Sequence, residues 1–361
     1  MGFRVFAIES SYSESMNVND YVMGRTLDGG AALASLNNGN WDTDEMLAML
    51  EWMRTYNAGV PIDQRVKFVG FDQQYNVRSL AEIPAYLQKV APKYVPMAQS
   101  LAALNLSAMR EARFRQVTAK EREDLAPKLE EAGQKYLELF GFLVINEARL
   151  VRATSRAQYE QVREYVRYAA QEIETARQSG PNLRAEYMAE NLRRLVESEP
   201  PGTRIVFSAH DVHVSNDAAV GAYPSAGYFV RRTFGAAYYG LGLTFSEGSF
   251  QQRDGEMQDG RRMMRKFTTA PAYEGSIEWH LAQAGRNALI IDLRSGRNAV
   301  VTDWLSKYQP FRYVGGFASK RESFLVPHKM LPDYDGLLFI DQITRAHPSS
   351  SVPDVDETTL R

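Results

Sequence analysis

Arg204-Ile205-Val206-Phe207-Ser208-Ala209-His210-Asp211-Val212-His213-Val214 is the stretch from which the fold follows. Arg204–Ser208 (RIVFS) has the β-branched and aromatic make-up of a buried strand. It runs straight into a turn that carries two imidazoles and a carboxylate. In open α/β sheets, ligands gather outside the carboxyl ends of the strands. The apolar run is scaffold, and the polar group that ends it emerges at the rim on a rigid support. The same design occurs twice more: Phe3–Ile8 ends at Glu9, and Arg65–Phe71 ends at Asp72. Three such ends in one chain predict a shared cleft bordered by Glu9, Asp72 and His210.

Outward from these strands, apolar runs alternate with amphipathic ones, the pattern of strand–helix units. Ser11–Met23 is a predicted helix. Trp41-Asp42-Thr43-Asp44-Glu45 opens another, with Thr43 or Asp42 as N-cap and acidic residues placed favourably in its first turn. Between about Leu80 and Glu199 no strand-like run intervenes. Lys120–Leu139, Ala157–Arg177 and Arg184–Val196 space apolar residues at helical period, and their Met and Tyr side chains are expected to pack a core. Strands are predicted again at Ala237–Phe245, Ala288–Asp292, Phe311–Gly315 and Gly336–Ile340, with a helix at Ser276–Ala284. The expected class is α/β, with a central, mostly parallel sheet flanked by helices and a large helical insertion. Residues 1–78 and 200–347 form the discontinuous core, 79–199 the insertion or lid, and 348–361 a disordered tail rich in Ser, Pro, Asp and Thr.

Composition narrows the function. The 361 residues carry 42 Lys plus Arg against 44 Asp plus Glu, a formal charge of -2. That balance gives no field to steer the chain to nucleic acid or to an anionic membrane. The absence of cysteine removes disulfides, thiolate nucleophiles and thiolate metal sites, and fits a cytoplasmic protein. No stretch of about 18 apolar residues suggests a membrane span. GxSxG, GxGxxG, GxxxxGK[ST] and HExxH are all missing, which argues against an α/β-hydrolase serine elbow, a nucleotide fold and a zincin. The run Arg261–Lys266 reads as a solvated surface stretch.

The chain has five histidines, His210, His213, His280, His328 and His347, and two of them fall within four residues. Histidine suits general-base work because its proton affinity lies near neutrality. Asp211 and Asp217 are close enough in sequence to orient an imidazole. A metal site is the alternative, since Glu9 or Asp72 could add a third ligand to the pair.

Several segments in order resemble the erythromycin esterase family: GFRVFAIE, WDTDEMLAMLEWMRTYN, VKFVGFD, YMAENLRRLV, RIVFSAHDVHV, YYGLGLTFSEGSF, EGSIEWHLAQAG and YDGLLFIDQ. The resemblance implies an α/β core with a helical insertion. It also implies hydrolysis of a small-molecule carboxylic ester or macrolactone by histidine-activated water, with no metal or cofactor. Glu9 corresponds to the family's active-site carboxylate, and His210 and His213 to its His-x-x-His turn, which helps hold substrate and the developing oxyanion. Asp72, Trp41 and Glu247 lie in matching segments and are the expected substrate-binding residues. Two departures stand out. Asp211 replaces the family's usual Asn. The Gly-Glu-x-x-His-Gly motif that holds the family's general base occurs nowhere in the chain, as though an upstream part were truncated. Loss of a general base forfeits ~10²–10⁴-fold in rate, and loss of a neighbouring strand would leave an edge of Phe3–Ile8 unpaired. Besides a hydrolase, the sequence is therefore compatible with a non-catalytic small-molecule-binding paralogue, or a metallohydrolase using Glu9, His210 and His213.

Overall fold

The computed structural model describes residues 2–114, 119–178, 181–217, 223–258, 261–295, 298–314, 325–352 and 354–359. It opens with strand β1 (Phe3–Ser11), helices α1 (Tyr12–Val22), α2 (Gly29–Ala34) and α3 (Asp44–Ala58), and strand β2 (Lys67–Asp72). A run of helices follows: α4 (Val77–Val90), α5 (Val95–Phe114), α6 (Ala119–Ile145), α7 (Glu147–Ala153), α8 (Arg156–Gln178) and α9 (Pro181–Ser198). Strand β3 (Arg204–Ser208), α10 (Asp211–Val214) and α11 (Ala226–Phe234) lead to the long strands β4 (Leu241–Gln258) and β5 (Arg261–Thr269). The remainder comprises α12 (Ile277–Ala282), β6 (Ala288–Asp292), α13 (Ala299–Leu305), β7 (Gln309–Arg312), β8 (Leu325–His328), α14 (Met330–Asp333), β9 (Gly336–Ile343) and β10 (Asp354–Thr359). None of the described helices is long and apolar enough to cross a membrane.

The class is α/β, with its strands divided between sheets. A fully parallel sheet has the order β2-β1-β3. A mixed sheet has the order β10-β5-β4-β9-β6, and β7 and β8 form a hairpin. β1 lies at the centre of the parallel sheet, so both of its edges are paired and the expected open edge does not exist there. Its faces explain the central place. Val5 and Ala7 pack with Met188, Leu192 and Val230 from α9 and α11, while Ile8 packs with Val18, Leu50 and Met53 from α1 and α3. Strands buried on both faces are the mark of parallel sheets. Ile8 is opposite Gly70 on one side and Ser208 on the other, so Glu9, Asp72 and His210 all emerge at one end.

The helices between β2 and β3 share a core of their own. Leu87, Tyr136, Leu139, Tyr159, Tyr165, Val166 and Ile173 are buried in it, at about 1.5–3 kcal/mol for each fully buried large apolar side chain. Tyr136, Tyr159, Tyr165 and Tyr168 on these helices, and Met188 on α9, are buried packing residues, as expected. Helix α9 is tied to the sheet where Asn191 Nδ2 donates to the carbonyl of Phe71 at 3.0 Å.

Three expectations change in the second half. Arg261–Lys266 is part of β5, paired with β4 on one side and β10 on the other, with Met264 and Phe267 buried. Counting charges misses such a strand because its apolar anchors, not its arginines, decide its place. β4 starts at Leu241 rather than Ala237, after a short 3-10 turn at Gly235–Ala237. The segment expected as a disordered tail supplies strand β10. Its lead-in is fastened by Ser349 and Ser351, whose hydroxyls donate to Asp42 at 2.6 and 2.5 Å. Polar residues that look like disorder are here hydrogen-bonding partners. The expected strand at Phe311–Gly315 is seen as β7; its end at Gly315 lies outside the described residues.

Candidate active site

Each predicted strand end carries its polar group to the same place. The Glu9 carboxylate accepts from the His210 backbone N–H at 2.9 Å and from Arg184 Nη2 at 2.9 Å. Asp72 accepts from the same Nη2 at 2.6 Å and from Arg184 Nε at 3.3 Å. Arg184 thus bridges β1 and β2 from helix α9, and its planar fork suits two carboxylates at once. Burial opposes ionisation of Glu9. His213, the Arg184 guanidinium and the His210 N–H outweigh it, and hold the carboxyl well below the usual carboxylate range.

His213 stands between the two charges. Its Nε2 is 3.1 Å from Arg184 Nη1 and 3.3 Å from Glu9 Oε1. A guanidinium has donors only, so towards Arg184 the nitrogen must accept, with the imidazole proton on Nδ1. Towards Glu9 it must donate. One ring nitrogen therefore has a partner ready for each of its protonation states.

His210 is engaged differently. Its Nε2 is 2.7 Å from the Val314 carbonyl, which fixes the proton there, and its Nδ1 accepts from the Val212 N–H at 3.3 Å as the N-cap of α10. Burial lowers its proton affinity further. Both nitrogens are thus occupied within the protein, and the Tyr313 ring packs edge-on at 4.9 Å. The short helix that carries His213 is clamped from outside. Tyr238 Oη donates to the Val214 carbonyl at 2.5 Å, and a Cβ on Gly227 would lie 2.3 Å from that same oxygen. Only glycine lets α11 come so close.

The other expected residues are placed as follows. Trp41 Nε1 donates to the Glu9 carbonyl at 3.2 Å, so the indole braces the strand end. Asp72 is held by Arg184. Glu247 on β4 accepts from Gln342 at 2.9 Å, and among the described residues it has no hydrogen bond or ion pair with the Glu9–Arg184–His213 cluster. Asp211 accepts from the Leu243 N–H at 3.4 Å. Of the remaining histidines, His280 sits between Trp279 and Trp304, His328 pairs with Asp333, and His347 pairs with Glu45.

Arg184 is the residue that sequence reasoning missed. A signal was present: it precedes Met188 and Leu192 by one and two turns, so a cation lies in register with the buried stripe of α9. The Glu9, His210, His213 metal set is not assembled. A guanidinium fills the approach between Glu9 and His213, His210 Nε2 turns to Val314, and no metal-holding group of three such residues occurs among the described residues.

A parallel α/β sheet that gathers two carboxylates, an arginine and a histidine at its strand ends defines a protein with an enzyme-like polar site. The chain belongs to the erythromycin esterase family of hydrolases, whose model, described as erythromycin esterase, matches residues 1–343. A protein from Bacillus cereus is similar in structure, with a TM-score of 0.76 at 20% identity, covering 97% of this chain and 83% of that one. A protein described as a succinoglycan biosynthesis protein gives 0.73 at 20% identity, covering 97% and 82%. A mutant of the erythromycin esterase EreC in its open conformation gives 0.66 at 15% identity, covering 94% and 83%. No curated protein matches the chain by sequence.

Proposed function

We propose that the protein hydrolyses a carboxylic ester or macrolactone by metal-independent attack of water, with His213 as proton acceptor. The observation that supports this is the position of His213 Nε2 between Arg184 Nη1 and Glu9 Oε1. As water adds to the carbonyl carbon, its proton passes to Nε2. The new N–H turns to Glu9, whose charge stabilises the imidazolium. Arg184 Nη1, released from the ring, offers its N–H to the carbonyl oxygen as charge develops there, the usual service of an oxyanion donor. Collapse breaks the bond to the alcohol oxygen, which leaves with a proton. His210 and Trp41 are positioning residues, holding α10 and Glu9. The helical segment that supplies Arg184 acts as a lid over the core. Macrolide lactones are the first substrates to test, given the family and the EreC likeness.

The test compares the parent with His213→Gln on erythromycin and on simple alkyl esters, in excess chelator. Parent activity unaffected by chelator and a loss of about 10²–10⁴-fold in the variant are expected. A variant as fast as the parent overturns the assignment. A second reading, a non-catalytic binding paralogue, is favoured by one observation: all the nitrogens of His210, and Nε2 of His213, already have partners within the protein. Macrolide binding by calorimetry with no turnover would decide for it.

A further inference from the structure

Beside the end of β2 lies a buried seam of amides to which the proposed hydrolysis gives no role. Gln171 on α8 and Asn191 on α9 are both buried, and each donates an amide N–H to the other's oxygen at 3.1 Å. Asn191 Nδ2 also donates to the Phe71 carbonyl at 3.0 Å, and Arg167 Nη1 donates to the Asn191 oxygen. A primary amide has two donors and two acceptor sites, so Asn191 is satisfied on every side and held in one orientation. A buried network completed in this way fixes a single arrangement of the elements it joins.

What this network fixes is the chain on either side of Asp72. β2 is an edge strand of the parallel sheet, so helices rather than a further strand hold its end. Asn191 holds Phe71, directly before Asp72. After it, Gln73 Nε2 donates to Thr175 Oγ1 at 3.2 Å, and the Tyr75 N–H donates to Glu172 Oε1 at 2.7 Å. Tyr75 has a φ of 63°, a conformation unfavourable for so bulky a residue, which persists where the surroundings over-determine it. Asp72 in turn grips Arg184 Nε and Nη2 at 3.3 and 2.6 Å. Two bonds from one carboxylate to a planar guanidinium set the plane of the fork. They thereby set the direction of Nη1, which is 3.1 Å from His213 Nε2. Arg184 and Asn191 are two turns apart on α9 and share a face of it. One helix face therefore carries both the guanidinium and the amide that holds its orienting strand end.

We propose that Asn191, locked by Gln171, is a positioning residue for the hydrolysis: through Phe71 and Asp72 it aims Arg184 Nη1 at His213 and at the ester's carbonyl oxygen. This rests on the hydrolytic reading above. Misplacing an orienting group by about 1 Å costs about 10²-fold in rate, even from a change far from the chemistry. The influence of Asn191 passes through the guanidinium, so it should vanish when the guanidinium does.

A double-mutant cycle tests this, with p-nitrophenyl acetate as substrate and rates referred to the folded fraction from urea unfolding. In the parent, Asn191→Ala should lower kcat about 10–100-fold, with KM changed less than about threefold. In an Arg184→Met background the same change should lower kcat less than about threefold, because the residue through which it acts is gone. Gln171→Met removes the paired amide from the α8 side and leaves α9 intact. It should show the same dependence on Arg184, and it carries the test if Asn191→Ala does not fold. Equal fold losses with and without Arg184 overturn the positioning role, as does an Asn191→Ala enzyme with the parent's kcat. A parent that hydrolyses no ester at all overturns the hydrolytic reading itself, and this role with it.

Discussion

Arg184 and Glu9 are 175 positions apart in the chain and meet at 2.9 Å. The contact joins the helical segment to the first strand of the sheet, and Asp72 shares the same guanidinium nitrogen. Removing one partner of a part-buried charge cluster leaves the others uncompensated, which costs about 3–5 kcal/mol in fully buried cases. Here the Arg184 side chain keeps 20% exposure, so Arg184→Met should lose somewhat less, about 2–3 kcal/mol by that scale. Arg184→Lys keeps the charge but loses the fork, and should recover stability better than activity. Urea unfolding and alkyl-ester turnover check both; an Arg184→Met protein as stable as its parent would show that the bridge carries no weight.

Stability in acid should fall in two stages with different owners. The Glu9 carboxyl is lowered in the fold, so its contribution is full above the ordinary carboxylate range, near about 4.3, and disappears as pH drops through and below it. His210 is also lowered, by burial. It must gain a proton on unfolding, so its contribution is full above about 6.5 and declines as pH falls below that. The difference in urea midpoint between parent and Glu9→Gln should shrink below pH 4.5, and that between parent and His210→Asn should begin to shrink near pH 6.5. Asn can keep the N-cap, so the His210 comparison isolates the titration. Differences that stay constant from pH 8 to 3 would contradict both assignments.

The parts of the fold that the sequence made legible are those governed by local pattern. Apolar runs ending on Glu9, Asp72 and His210 identified three parallel strands; β1 and β2 leave an apolar record because they are largely buried, while β3, at the sheet edge, keeps Val206 exposed and is marked by its β-branched and aromatic residues instead. The register that makes those ends coincide, Ile8 opposite both Gly70 and Ser208, leaves no such record. Arg184 was obscure for the same reason: its partners come from strands far away in the chain. The tail failed in the other direction. Ser349 and Ser351 have a disorder-prone composition, and their value lies wholly in Asp42, more than three hundred positions upstream. Glu247 lies within a matched segment and accepts from Gln342, so a segment's likeness does not by itself fix where each of its side chains points.

Gly227 should tolerate nothing larger. A Cβ there would meet the carbonyl oxygens of Val214 and Ser215 at 2.3 and 2.4 Å, both of them backbone atoms. Relief would require α11 or α10 to move, and α10 carries His213. Gly227→Ala should therefore cost stability by about 1–3 kcal/mol, as overpacking does, and reduce ester turnover by more than the unfolded fraction explains. Thermal melts read together with kcat separate the two effects. An alanine variant with parental melting and turnover would mean that the contact relaxes at no cost.

Glu172 is shifted in the opposite direction to Glu9. Its Oε1 accepts from the Tyr75 N–H at 2.7 Å, while Oε2 is buried without a partner. Burial pushes the carboxyl up to about 8, against Tyr75 and the Asn105 side chain, and Asp72 and Glu14 add like charge. The folded protein therefore holds a proton that the unfolded chain has lost above about 4.3. Since the native state binds this extra proton in that range, the contribution of Glu172 to stability must decline as pH rises from about 4.5 to 8. Glu172→Gln removes the ionisable proton and keeps the shape. At pH 5 it should be close to the parent in stability, and at pH 8.5 more stable by up to a few kcal/mol. Because Tyr75 follows Asp72 by three residues, relief at Glu172 should also steady the loop that leads away from the Arg184 bridge. Urea titrations of both proteins across this range give the result directly: a parent that gains stability between pH 5 and 8.5 relative to Glu172→Gln would show that the carboxyl is ionised in the fold.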